Sequence, residues 1–154
     1  MILIYLIILV LAFLGLYAGL FVSYFCKEEL KPGLGYLNWL RHLTFIAILI
    51  IFFVKNPSWL FVILISVIII IFSLSKNRET LYYYSLAIVF FLSWRYNGFA
   101  IIAPLIFLYG FPLGSMHLYY NIKEKKKQVI LKLFYRYVGF LINGLVLGLI
   151  GLLL

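Results

Sequence analysis

Residues 60–74 read LFVILISVIIIIFSL, a run without a single charge and apolar on every face. A segment that is hydrophobic all round must be surrounded by protein or by lipid, because it has no side to offer to water. The chain has 154 residues, 67% of them hydrophobic and 11% charged, whereas soluble domains are about a quarter charged. A chain this short cannot hide so much apolar surface from water. A soluble globular domain is therefore excluded. A lipid-spanning β-barrel is excluded too, since its strands alternate apolar and polar residues at every second position. The composition predicts an all-α, polytopic integral membrane helical bundle. It forms a single transmembrane domain, residues 1–154, in the cell (inner) membrane.

Six apolar segments can be marked out, at about 2–25, 36–54, 58–75, 80–95, 98–118 and 129–154. Several dense cores fall short of the roughly 20 residues that a ~30 Å hydrocarbon layer requires. Flanking aromatics supply the missing length, with Tyr36 and Trp39, Tyr82 to Tyr84, Trp94 and Tyr96, and Tyr119 and Tyr120 placed as interfacial belts. Asn56-Pro57 suits a helix start. Pro32-Gly33 reads as the break that ends the first helix and reverses the chain. Six transmembrane helices follow, or five if the second segment or the proline-containing fifth does not cross.

Charge sets the orientation. Lys27, Lys31 and Arg41 follow the first segment, Lys76 and Arg78 the third, and Lys123, Lys125, Lys126, Lys127, Lys132 and Arg136 the fifth. These are eleven of the thirteen basic residues, and only Lys55 and Arg95 fall on the opposite side. Basic residues concentrate on the cytoplasmic side, so those three connections are expected there and both chain ends outside. The first basic residue, Lys27, follows the first apolar stretch, which reads as an uncleaved anchor and not as a signal peptide.

Chemistry-bearing motifs are few. Cys26 is the single cysteine, so an intramolecular disulfide and a cysteine-rich zinc site are both excluded. Aspartate is absent, and no Walker or Rossmann glycine pattern occurs. On this segmentation no Asp, Glu, Lys or Arg lies in the middle of a span, which argues against charge-coupled transport. The stretch CKEELKPGLGYLNWLRHL, residues 26–43, reads as an interfacial hairpin with Arg41 and His42 in the first turns of the second span. Its sharper reading is a site in which Glu28, Glu29 and His42 meet His117 and Asn121. His117 and Asn121 are four apart and share one helix face. Two imidazoles and a carboxylate are a set able to activate a metal-bound water. No metal or other cofactor is assigned from sequence.

Two GxxxG patterns, Gly15–Gly19 and Gly144–Gly148, mark helix-packing faces, because small residues four apart let backbones approach closely in lipid. Asn143 is the amide deep in the sixth segment. With Pro104 and Pro112, which predict an irregular fifth helix, it is a cavity candidate. Lys123, Lys125, Lys126 and Lys127 are placed to attract anionic lipid headgroups. The +9 formal charge is thus assigned to the membrane surface, and no nucleic-acid partner is expected.

Three functions fit. The favoured one is a non-enzymatic membrane subunit or scaffold that packs through small-residue faces against its own copy or a membrane protein partner. The alternative is a small carrier or channel for a neutral or lipid-like substrate. The third is an interfacial metal-dependent hydrolase built on the Glu28, Glu29, His42, His117 and Asn121 face.

Overall fold

A computed structural model describes residues 2–55, 78–95 and 98–153. The third apolar segment, 58–75, and Tyr96 lie outside these described residues. The described residues form helices and no strand. Helix α1 is Ile2–Phe25, α2 is Leu30–Lys55, α3 is Arg78–Arg95, α4 is Phe99–Tyr120, α5 is Lys126–Tyr137 and α6 is Gly139–Leu153. Among the described residues, four stretches are long and apolar enough to cross a membrane: Ile2–Phe25, Lys27–Lys55, Phe99–Tyr120 and Lys126–Gly151. Helix α3 has 18 residues, about 27 Å at 1.5 Å per residue.

The first chain reversal is not at Pro32-Gly33. Cys26 leaves helical geometry (φ −111°, ψ 40°), a short 3₁₀ turn covers Lys27–Glu29, and α2 begins at Leu30. Pro32 then stands in the first turn of α2, where its missing N–H leaves no hydrogen bond unmade. Gly33 follows it inside the same helix. The second apolar segment therefore starts six residues earlier than its hydropathy suggests, and Arg41 is the twelfth of 26 residues in α2.

Helix α4 is the centre of the molecule. It runs unbroken through Pro104 and Pro112, so the fifth segment is not interrupted at those prolines. It packs most extensively on α1, and the contact is made by glycine on both sides. A Cβ on Gly15 would strike the Phe107 carbonyl, and one on Gly19 the Phe111 carbonyl. From the other helix, a Cβ on Gly110 would lie 2.8 Å from the Leu16 nitrogen, and one on Gly114 would strike the Leu16 carbonyl. Backbone thus touches backbone over two full turns, the contact that small residues four apart allow in an apolar solvent. Ser115 Oγ adds a bond to the Gly19 carbonyl (3.1 Å) while also donating toward Phe111 (3.0 Å).

The Gly144–Gly148 face is used differently. Its glycines receive side chains of α1, with Leu9 Cδ1 2.6 Å from a Cβ at Gly144 and Tyr5 Cε1 2.6 Å from one at Gly148. Tyr5 also donates to the Gly144 carbonyl at 2.8 Å. The last apolar segment is divided at Val138. There Tyr84 of α3 donates to the Arg136 carbonyl (2.8 Å), and its ring occupies the space a side chain at Gly139 would need. A side chain wedged against a helix in this way is an established cause of bending.

The ends of the helices alternate. Tyr5, near the start of α1, meets Trp94 at the end of α3, and Lys55 at the end of α2 lies near Gly98. At the other end Tyr24 of α1 meets Lys126 at the start of α5. The ends of α2 and α3 therefore sit together, and the start of α3 lies at the opposite end from Lys55.

Candidate functional site: a buried arginine–glutamate–arginine cluster

The polar residues that come together are not those of the predicted site. Arg41 points inward from α2 with its side chain only 10% exposed. Its Nη1 pairs with Oε1 of Glu79, at the start of α3, and its Nη2 donates to Asn38 Oδ1 at 2.6 Å. The same Nη2 lies 3.4 Å from His42 Nε2. The second carboxylate oxygen, Glu79 Oε2, faces Arg136 Nη2 of α5 at 3.7 Å. Arg136 Nε donates to Thr80 Oγ1 at 3.3 Å. One carboxylate therefore joins three helices through two guanidinium forks.

Local sequence explains the convergence. Asn38 precedes Arg41 by three residues, so both share a face of α2 and the amide can orient the guanidinium. Glu79 and Tyr83 are four apart on α3, so the carboxylate stands directly above a phenol. Tyr83 is fully buried, with its ring 6.1 Å from Tyr109, 5.4 Å from Tyr137 and 4.8 Å from Phe140. Its hydroxyl has no hydrogen-bond partner among the described residues. Phe45, one turn beyond Arg41, closes the side of this aromatic floor against Tyr82 and Tyr109. The arrangement is a charged layer laid over a dry aromatic layer.

The energetics follow from burial. A guanidinium in low dielectric is costly unless it is paired and its donors are satisfied. Arg41 is paired with Glu79, and its Nη2 finds an acceptor in Asn38. Glu79 is 32% exposed and Arg136 42%, so the outer half of the cluster reaches the surface. Two cations against one anion leave a single excess positive charge, carried at the accessible arginine. Arg41 and Arg136 lie farther inside the long helical segments than the hydropathy limits place them. Arg41 reads as interfacial only while α2 is thought to begin near residue 36. Arg136 reads as loop-side only if helix begins at 129, when the segment in fact starts at Lys126.

Glu28 and Glu29 are exposed in the 3₁₀ turn and form no salt bridge among the described residues. His42 sits on the exposed side of α2 beside Arg41. His117 is buried in α4, its Nε2 3.3 Å from the Val129 carbonyl, which requires that nitrogen to carry the proton. Asn121 Nδ2 donates to the His117 carbonyl at 2.8 Å and so caps α4, not a metal. Among the described residues no three His, Cys or Glu side chains gather into a set able to hold a metal ion.

Asn143 lies on the exposed face of α6, and Pro112 is packed in the α4 core. Pro104 is exposed and borders an apolar groove of about 340 Å³ between α1 and α4, with Ile8, Ala12, Ala103 and Phe107. The basic residues Lys123, Lys125, Lys126 and Lys127 are all exposed at the α4–α5 turn. Comparison with protein-family models, with curated proteins and with solved structures finds no match for this chain.

Proposed function

We propose that this chain is a non-enzymatic, multi-pass subunit or scaffold of the cell (inner) membrane. It would cross the bilayer six times, with residues 58–75 as the third crossing and both ends outside. The observation that carries this reading is how the interior polar groups are spent. Arg41 is consumed by Glu79 and Asn38, His117 by the Val129 carbonyl, Ser115 by the Gly19 carbonyl and Tyr5 by the Gly144 carbonyl. All but the Arg41–Asn38 bond tie one helix to another, and none leaves a nucleophile beside a base. The crossing number is supported by Lys55 and the start of α3 lying at opposite ends, and the orientation by the basic residues at the α4–α5 end.

The small-residue faces are used inside the protomer, so contact with a second copy or a membrane protein partner falls to larger apolar residues. Leu43, Ile46 and Ile50 on α2 and Ile142, Leu145 and Leu149 on α6 are among the exposed ones. Crosslinking in native membranes followed by native mass spectrometry in mild detergent is the test. A defined oligomer or stoichiometric complex is expected, and a species that is monomeric under every condition would sink the proposal.

A carrier for a lipid-like molecule is the second reading, favoured by the groove beside Pro104, whose volume of about 340 Å³ suits an acyl chain. Reconstitution with a spin-labelled lipid tests it: transbilayer movement no faster than in protein-free vesicles rejects it.

A further inference from the structure

Two lysines that are ninety-nine residues apart in sequence converge on one aromatic ring. Lys27 Nζ, from the turn after α1, lies 5.0 Å from the centre of the Tyr24 ring, and Lys126 Nζ, from the start of α5, lies 5.1 Å from it. The two ammonium groups are therefore no more than about 10 Å apart. They border a cavity of about 380 Å³ whose other walls include Phe21, Phe25 and Ile122. All three apolar walls are exposed side chains at the end of the bundle.

Glu124 also borders this cavity; its Oε1 is engaged by Lys132 Nζ at 2.5 Å, and its Oε2 is buried without a hydrogen-bond partner among the described residues. Neither Lys27 nor Lys126 forms a salt bridge among the described residues. Two like charges within about 10 Å of each other and outside any salt bridge repel, and the shared ring offsets part of that cost. An anion placed between them removes the repulsion and gains a charge-assisted hydrogen bond from each. The flanking Phe21 and Phe25, on the outer face of α1, extend the charged notch along the apolar surface.

We propose that Lys27, Lys126 and Tyr24 form a binding site for the phosphate of an anionic glycerophospholipid, with an acyl chain lying along Phe21, Phe25 and Ile122. The site rests on the membrane reading above, which puts the α4–α5 end at the headgroup level. It differs from general attraction by the lysine cluster because it depends on two particular lysines drawn together by the fold. The shared chemistry is a phosphate group, and the apolar wall selects the lipid-borne form over the free ion.

The test is lipid retention by the full chain, measured by native mass spectrometry with phosphatidylglycerol, phosphatidylcholine or inorganic phosphate added. The double variant Lys27→Gln/Lys126→Gln is compared with Lys125→Gln/Lys127→Gln, which removes the same charge from positions outside the cavity. Retention of phosphatidylglycerol should fall about tenfold or more in the first variant and less than about twofold in the second. Tyr24→Phe, which keeps the ring face, should bind as the parent does. Equal losses in the two double variants overturn the site in favour of diffuse attraction. Binding of inorganic phosphate as strong as that of the lipid overturns the acyl-chain half. Topology and oligomeric state are unaffected by either result, so failure here is distinct from failure of the subunit proposal.

Discussion

A glycine is tolerated in a helix at a cost of about 1 kcal/mol relative to alanine, so its presence at a helix crossing needs a reason. At Gly19 the reason is the Phe111 carbonyl, which occupies the place a Cβ would take. Backbone atoms cannot rotate aside as a side-chain tip can. Gly19→Ala should therefore push α1 from α4 and lower stability by about 1–3 kcal/mol, read by steric trapping or SDS unfolding in mild detergent. Gly35, by contrast, has nothing within 4 Å of the added carbon. Gly35→Ala should leave stability unchanged or raise it by up to about 1 kcal/mol in the same assay, because it removes only backbone freedom. If the two substitutions behave alike, close backbone contact is not what holds this bundle. Ser115→Ala, which removes the bond to the Gly19 carbonyl, should cost about 0.6 kcal/mol.

At the level of helices, the arginine–glutamate–arginine cluster sets how α2, α3 and α5 meet. Removing the carboxylate leaves the Arg41 guanidinium buried without its counter-charge. Glu79→Gln should cost about 2 kcal/mol, toward the low side for a buried pair because Glu79 is about a third exposed. Arg41→Met on the wild-type background leaves Glu79 with Arg136 and should cost less. The double variant Arg41→Met/Glu79→Gln should recover part of the loss, since two desolvation penalties vanish together. A double-mutant cycle that sums without coupling would show that the pair is not a functional unit of the fold. The cluster was only partly legible in the sequence. Arg41 and Arg136 were visible as charges at segment edges, but hydropathy alone misplaced those edges. The spacing of Asn38 to Arg41 and Glu79 to Tyr83 was a local signal for shared faces, yet nothing local pairs α2 with α3.

The whole molecule makes a prediction about sidedness. Cys26 is exposed in the turn between α1 and α2 and is the single thiol of the chain. In the proposed orientation a membrane-impermeant maleimide should label it in inside-out vesicles and not in intact cells. A reporter fused after Leu154 should be inactive in the cytosol. Labelling from outside would invert the threading and move the Lys27–Lys126 site to the other leaflet. Setting aside Arg41 and Arg136 as interior residues reduces the basic count on the cytoplasmic side from eleven to nine, against two opposite. In the proposed orientation the asymmetry therefore survives, because eight lysines and Arg78 remain on that side.

The all-helical architecture followed from the sequence by itself, since uninterrupted hydrocarbon admits few backbone solutions in lipid, where every N–H must bond within its own segment. Helices α1, α3 and α4 lie within two residues of the limits set by hydropathy, because charges and aromatics mark where lipid ends. Glycine spacing in GLYAG (Gly15–Gly19) was readable as a packing face. Its partner GFPLG (Gly110–Gly114) was equally written in the chain, but its proline directed attention to kinking. Which face meets which, where Pro32 falls in its helix, and which lysines share Tyr24 were decided only by tertiary structure. Those outcomes depend on close fit between segments far apart in the chain, and a hydropathy profile records the solvent around each residue and not its neighbour.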